Sequence, residues 1–452
     1  MNQRPLQSAL LLLGALAAAA PVAAQRDTIP AGVELSTGYD VTPRPILAVR
    51  PVASGMRTAV EAGDIRDIIE RDLTYSDRFA LIPTPARLAE GDIVYEDWND
   101  LRAVYLVDGS IEPIRDGFRL EVSVHDVVYK TVLERAAYEL PPRSDRGFRM
   151  AVHAVADDIV RMITGEPGMA ATRIAFVRKN AAGSYDLIMI DSDGEDQRRI
   201  FGEGGIIYGS AFSPDGRRLA YVATPEMQGW ELVERELESG RARVLERGST
   251  LFAPDYSPDG RSLSYALFDE GGSRLMEMDL ASGRSRVLYE GRGSENVTAA
   301  MYSPDGRRFA IVSSRLGNPH VFLMDANGSV GARVSPYARG QGAMFTGPDW
   351  SRTGQLTFTG GFGGAEQVVI TDPDRLAGQA KQLTQGGTNE DPAWAPDGRH
   401  IVYTGSAPGG SGLYVIDTVT LKRRLLVSGG ELRLPAWSPS LSRLGPPLEG
   451  AR

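Results

Sequence analysis

"AFSPDGRRLAYVA", residues 211–223, returns nearly unchanged as "DYSPDGRSLSYAL" from Asp255 and as "MYSPDGRRFAIVS" from Met301. Degenerate copies follow: "SRTG" at Ser351, "APDG" at Ala395 and a half-copy "SPS" at Ser438. Taken from Ser213 onward, the first turn residues are spaced 44, 46, 48, 44 and 43 residues apart. A period in the forties made of short strands is the signature of a propeller blade. The turn has a mechanism. Proline presets φ for the first central position, aspartate suits the second, and glycine takes the positive φ that closes a short hairpin.

After each turn comes a run that is apolar on both alternating faces, such as Leu219 to Ala223, Phe309 to Ser313 or Ile401 to Thr404. That pattern fits a middle strand packed between two neighbouring sheets. A third strand and a fourth follow, as in Arg274 to Asp279 and Ser285 to Tyr289, which makes four antiparallel strands per unit. The middle-strand pattern first occurs at Arg173 to Arg178, with no turn before it, and an unmatched first strand, "LPAWSPS", lies at Leu434 to Ser440. The economical reading is a ring of six blades over 169–441, closed by the C-terminal strand, which leaves no exposed sheet edge there.

Upstream the pattern changes. A strand at Ile46 to Val49, a helix over Asp64 to Leu73, strands at Ala103 to Val107, Phe118 to Val124 and Val132 to Leu140, and a helix marked by Phe148, Val152, Val155, Ile159 and Met162 define an α/β domain over 44–168. The fold class is therefore an all-β six-bladed β-propeller with an N-terminal α/β domain. Residues 1–24 read as a signal peptide: Arg4, the apolar run Ala9 to Ala20, and small residues up to Ala24. Residues 25–43 form an N-terminal extension and 442–452 a C-terminal tail. No later window offers the roughly 20 apolar residues of a membrane-crossing helix, so an exported, periplasmic protein without direct membrane insertion is expected.

Composition narrows the function. The net charge of -9, with positive charge spread along the chain, argues against nucleic acid. With no cysteine, disulfides, thiolate metal sites, a cysteine nucleophile and lipidation at cysteine are excluded. There is no nucleophile elbow and no Walker phosphate loop. His125, His153, His320 and His400 are isolated in the sequence and read as surface or satisfied residues. "DSDGED", Asp191 to Asp196, begins like a calcium loop but lacks its distal ligands, and its place between third and fourth strands reads as a solvated hairpin turn. The expectation is a noncatalytic monomer with no cofactor and no assigned metal; a cation in the central channel, where first strands can collect carboxylates and carbonyls, stays open because the sequence assigns no ligands to it.

A propeller offers a mouth, on which the loops entering each first strand converge. These include "STLFAPDY" (249–256), "ENVTAAMY" (295–302) and "TNEDPAW" (388–394). Their aromatic ends, Tyr256, Tyr302, Trp350, Trp394 and Trp437, read as inter-blade core. The polar and small residues before them, among them Glu295, Asn389 and Glu390, are candidate contacts.

The domain order, the opening strand "RPILAVRPV" (44–52), the "YSPDGRRFA"-type turns and the terminal "LPAWSPSL" together resemble the TolB family, periplasmic propeller proteins of the Tol-Pal envelope system. The resemblance spans essentially the whole chain after the leader. It implies a noncatalytic adaptor that supports outer-membrane integrity and cell division, binding the peptidoglycan-associated lipoprotein Pal through the mouth and TolA through the N-terminal extension. Counting back from the turns, it places contacts at Thr250, Ala253 and Thr298, with Thr250 standing where the family resemblance would place a histidine. Two other classes remain. A propeller of a hydrolase would need a catalytic domain of roughly 200 residues, for which neither end has room, and an exported propeller binding a small molecule or peptide is the alternative.

Overall fold

The structure, a computed structural model, describes residues 33–34, 43–202, 205–225, 229–248, 250–336, 343–362, 364–374, 380–407 and 410–442. The expected signal peptide, most of the extension and residues 443–452 of the tail lie outside the described residues.

Six four-stranded antiparallel units make the propeller. Blade 2 runs Ile207–Phe212, Arg218–Ala223, Trp230–Glu236 and Ala242–Gly248, and blade 3 runs Thr250–Tyr256, Ser262–Asp269, Gly272–Asp279 and Arg284–Glu290. Blade 4 begins at Val297–Tyr302, blade 5 at Phe345–Trp350 and blade 6 at Asn389–Trp394. At the outer edge of blade 5, Val33–Glu34 pair in parallel with Ala380 and Lys381.

Blade 1 takes its first strand from the end of the chain. Leu432–Trp437 pairs antiparallel with Arg173–Lys179, with Trp437 opposite Ile174, and Tyr185–Asp191 and Arg198–Phe201 complete the sheet. The seam is reinforced by the Trp437 indole N–H donating to Thr172 Oγ1 (2.7 Å) and the Arg173 amide donating to Ser438 Oγ (2.8 Å).

The doubly apolar middle strands divide their side chains as expected. In blade 2, Leu219, Tyr221 and Ala223 pack against blade 1 residues such as Val177 and Leu187, whereas Ala220 and Val222 pack against Leu251 and Tyr265 of blade 3. Each middle strand is therefore glued to two neighbours. Every "SPDG" turn is locked alike: Ser213 Oγ donates to Asp215 and accepts the Arg218 amide (2.9 Å), and Gly216 holds φ +65°. Ser257 with Asp259 and Ser303 with Asp305 repeat the pattern.

The α/β domain has a sheet in the order Ala80–Ile82, Ile46–Val49, Tyr105–Ile114, Gly117–Asp126, Thr131–Leu140. Helices α1 (Ala59–Tyr75) and α3 (Phe148–Thr164) cover one face through Ile65, Ile69, Val152, Val155 and Ile159, and the short α2 (Tyr95–Asp100) covers the other with the buried Trp98. α1 is longer at both ends than the apolar periodicity marked. Gly165, at φ +72°, ends α3. The Asp157 carboxylate then accepts the amides of Ala170 and Ala171 and turns the chain into blade 1.

The domain docks on the propeller face that carries the "SPDG" turns and the third-to-fourth-strand turns. Arg399, next to the blade 6 turn, donates to the Asp77 carbonyl oxygen (3.3 Å), and Arg149 of α3 reaches Asp193 in blade 1 (2.6 Å). The mouth on the opposite face stays open.

Candidate functional site: the propeller mouth

All six first strands break register midway, between Ile207/Ser210, Phe252/Asp255, Val297/Ala299, Thr346/Asp349, Glu390/Ala393 and Arg433/Ala436. In five blades the bulge corner has left-handed φ: Gly209 (+89°), Ala253 (+46°), Gly347 (+57°), Asp391 (+53°) and Leu434 (+50°). A bulge of this kind bends the strand and re-aims its side chains. Repeated around the ring, it opens the strand ends into a funnel of about 540 Å³.

Ala253, Thr298 and Glu390 line this funnel together. Thr250 is partly exposed one strand end away, opposite Phe268. Two other candidates hold the loops. Asn389 is fully buried and its amide donates to Gln367 and to the Gly386 carbonyl oxygen, both at 3.0 Å. The Glu295 side chain is only 6% exposed and accepts from Ser313, Arg315 and Tyr289. Neither carboxamide nor carboxylate is available to meet a partner, so both serve as loop braces.

Three funnel carboxylates stitch neighbouring blades. Asp255 accepts the Tyr302 amide (2.8 Å), Asp349 the Trp394 amide (2.6 Å) and Asp391 the Leu434 amide (3.0 Å). Burial pushes Asp255 up to about 8 and Asp349 up to about 6. Burial, with Asp391 and Glu366 nearby, raises Glu390 as well.

An aromatic rim went unread in the sequence. Tyr208, 43% exposed, meets Phe252 edge-on at 4.6 Å, and Trp230 and Phe268 flank Phe252 at 6.0 and 5.3 Å. Aromatic residues in strands ordinarily read as core, and only the fold shows that these four gather between blades 2 and 3. The expected core aromatics Tyr256, Tyr302, Trp394 and Trp437 are buried, and Trp350 is half-buried.

One sequence reading is corrected and another narrowed. All four histidines are buried with one ring nitrogen on a side-chain partner, which is the satisfied rather than the surface half of their reading. His320 bonds Ser335 (2.8 Å) with both side chains closed off from a substrate. The "DSDGED" turn is not solvated: Asp191 and Asp193 are buried where α1 and α3 dock on blade 1. His153 joins Asp72 and Asp193 there, and His400 joins Asp77 and Asp417 in a second cluster. In both, side-chain cations pair some of the carboxylates. Arg71 and Arg149 each reach Asp193 at 2.6 Å, Lys422 reaches Asp77 at 2.8 Å and Arg399 reaches Asp417 at 2.6 Å, while Asp72 pairs with His153.

Residues 160–441 match the TolB beta propeller domain and residues 33–133 the TolB amino-terminal domain. The chain belongs to the TolB family. It is 28% identical over 379 residues to the Tol-Pal system protein TolB of Bordetella pertussis, covering 83% of this chain and 84% of that one. It is 33% identical over 207 residues to the same-named protein of Methylobacillus flagellatus, covering 44% and 46% of the two chains. The crystal structure of TolB from Acinetobacter baumannii aligns with TM-score 0.76 at 26% identity, over 91% of this chain and 98% of that one. Among the described residues no helix is long and apolar enough to cross a membrane.

Proposed function

We propose that this chain is a noncatalytic periplasmic component of the Tol-Pal envelope system, an adaptor that binds the lipoprotein Pal through the propeller mouth and TolA through the N-terminal extension. The observation that carries the reading is the open funnel, in which Ala253, Thr298 and Glu390 converge on bulged, rigid strands beside an aromatic rim. Such a surface suits a protein partner. The rim offers apolar anchoring area, the strands are preorganised, and small side chains at the corners admit a partner loop. Among the described residues no nucleophile, base and orienting group share an accessible site. Isothermal calorimetry of the full mature chain against purified Pal tests the reading: saturable binding of one Pal per chain is expected. No binding to Pal, together with thermal stabilisation by a small molecule or peptide, would replace the adaptor by a ligand-binding propeller.

A further inference from the structure

The junction between the α/β domain and the propeller holds two imidazoles in matching arrangements. His153 of α3 has Nδ1 2.7 Å from Asp72 of its own domain, and its Nε2 faces Asp191 (3.8 Å) and Asp193 (3.9 Å) of blade 1. His400 of blade 6 has Nδ1 2.6 Å from Asp397 of its own blade, and its Nε2 faces Asp77 of the α/β domain at 3.6 Å. Each ring thus has one nitrogen on a carboxylate of its own domain and the other aimed at carboxylates of the opposite domain. Both side chains are fully buried, and neither Nε2 has a hydrogen-bond partner.

A neutral imidazole has one N–H and one lone pair. With Nδ1–H given to its own carboxylate, a neutral ring would point the Nε2 lone pair at further carboxylate oxygens inside a buried junction. Only the imidazolium presents an N–H to both sides. Freed from the junction, Nε2 would face water and the neutral ring would cost nothing.

We propose that the two domains are clamped by a pair of imidazolium ions, His153 and His400, and that docking the α/β domain on the propeller therefore takes up protons.

The surrounding charges agree. Around His153 stand Asp72 of α1, Asp157 of α3, and Asp191 and Asp193 of blade 1, with Arg71, Arg149 and Arg173 pairing the blade 1 carboxylates. Around His400 stand Asp397, Asp417 and Asp77, with Arg399 on Asp417 and Lys422, Arg424 and Arg44 on Asp77. Burial pulls His153 down, but the Asp72, Asp191 and Asp193 carboxylates outweigh it and hold the ring up at about 10. His400 is likewise raised, Asp397 and Asp77 outweighing its burial. Burial also raises Asp72, yet a carboxyl starts so much more acidic than imidazolium that the shared proton stays on the ring.

A group whose docked value is raised contributes stability that is full below its free value and lost as pH rises through the docked value. In the open state Asp72 and Asp397 still face their own rings, so the window opens above the ordinary histidine value of about 6.5 and closes, for His153, at about 10. With two protons taken up, the docked-to-open ratio falls by up to about 100-fold per pH unit inside that window.

The test uses the full chain. Long-range imidazole nitrogen correlation spectra, assigned with H153Q and H400Q, should show both rings as imidazolium at pH 8, and a neutral ring at either position overturns the clamp. Because the sequence has no cysteine, Tyr129→Cys on the α/β domain and Arg261→Cys on blade 3 accept a spin-label pair cleanly. The inter-label distance distribution should broaden toward longer separations between pH 6.5 and 9 in the parent. The H153Q and H400Q backgrounds should each lose part of that pH dependence. A parent distribution unchanged across this range overturns the coupling of docking to protons even if both rings are charged, and needs no histidine variant to fold.

Discussion

The Asp255 carboxylate, in the first strand of blade 3, accepts the main-chain N–H of Tyr302 in the first strand of blade 4 at 2.8 Å. The same stitch joins blade 5 to blade 6 through Asp349 and blade 6 to blade 1 through Asp391. The walls of the funnel are therefore hydrogen-bonded from blade to blade, independently of the apolar packing behind them.

That stitch has a pH signature. Burial, and secondarily the Asp349 charge, lift Asp255 to about 8, so its ionised form is disfavoured in the folded chain. The carboxyl then costs stability progressively as pH rises from the ordinary carboxylate range toward 8. Asp255→Asn keeps an oxygen acceptor for the Tyr302 amide and carries no charge. Its melting temperature, measured calorimetrically against the parent, should improve between pH 5 and pH 8. The gain should be about 1 kcal/mol, below the full-burial limit because Asp255 lines the open funnel and is only partly buried. A variant uniformly worse at both pH values would show that the charge itself holds the blades.

The turn motif carries a stability cost of its own when broken. Ser303 is almost fully buried, donates to Asp305 (2.6 Å) and accepts the Arg308 amide (2.9 Å). Ser303→Ala leaves that amide without its acceptor and should cost about 1 to 3 kcal/mol in urea denaturation. Ser303→Thr, which keeps the hydroxyl, should recover most of the loss.

Closure of the ring was legible because two halves of one blade were each visibly incomplete. Arg173 to Arg178 had no turn before it, and Leu434 to Ser440 had no middle strand after it. The blade turns were legible because their chemistry is local, within the span of Ser303 to Arg308. The junction was not. "DSDGED" occupies the same place between third and fourth strands as the solvent turn Asp279 to Gly283, and what distinguishes it is a helix docking on it from a separate domain. His153 bonds a residue 81 positions away and His400 faces Asp77 across the domain boundary, so neither spacing nor period could mark them. The mouth was half legible. Loop position pointed to Glu390 and the family resemblance to Ala253 and Thr298, but neither could tell them from the buried Asn389, nor gather Tyr208, Trp230, Phe252 and Phe268 into one rim.

Removal of residues 434–452 tests the closure directly. It strips the partner from Arg173–Lys179, frees Asp391 from the Leu434 amide and deletes the Trp437 bond to Thr172. The sheet edge of Arg173–Lys179 becomes exposed and the packing across the seam is lost, and the loss should be several kcal/mol, comparable to a whole domain's margin. Thermal unfolding at or above the parent temperature would mean that the C-terminal strand does not hold the ring shut.

The mouth is tested by adding bulk at one point and removing an anchor at another. Thr298 lines the funnel and is partly exposed, so tryptophan there should obstruct a docking partner without disturbing the core. Phe252 is the centre of the aromatic rim, in contact with Tyr208, Trp230 and Phe268, and truncating it removes apolar anchoring area. Thr298→Trp and Phe252→Ala should each weaken Pal binding by about 1 to 3 kcal/mol, the scale of a central interface residue. Phe252→Ala will also lower stability, because its ring is partly packed, so binding is measured at a temperature where circular dichroism shows it fully folded. Arg217→Ala is the control: this exposed residue sits beside the blade 2 turn, on the face opposite the mouth. Its binding should match the parent's. If Arg217→Ala weakens Pal while the two mouth variants bind normally, the partner docks on the other face, and the funnel needs a different ligand.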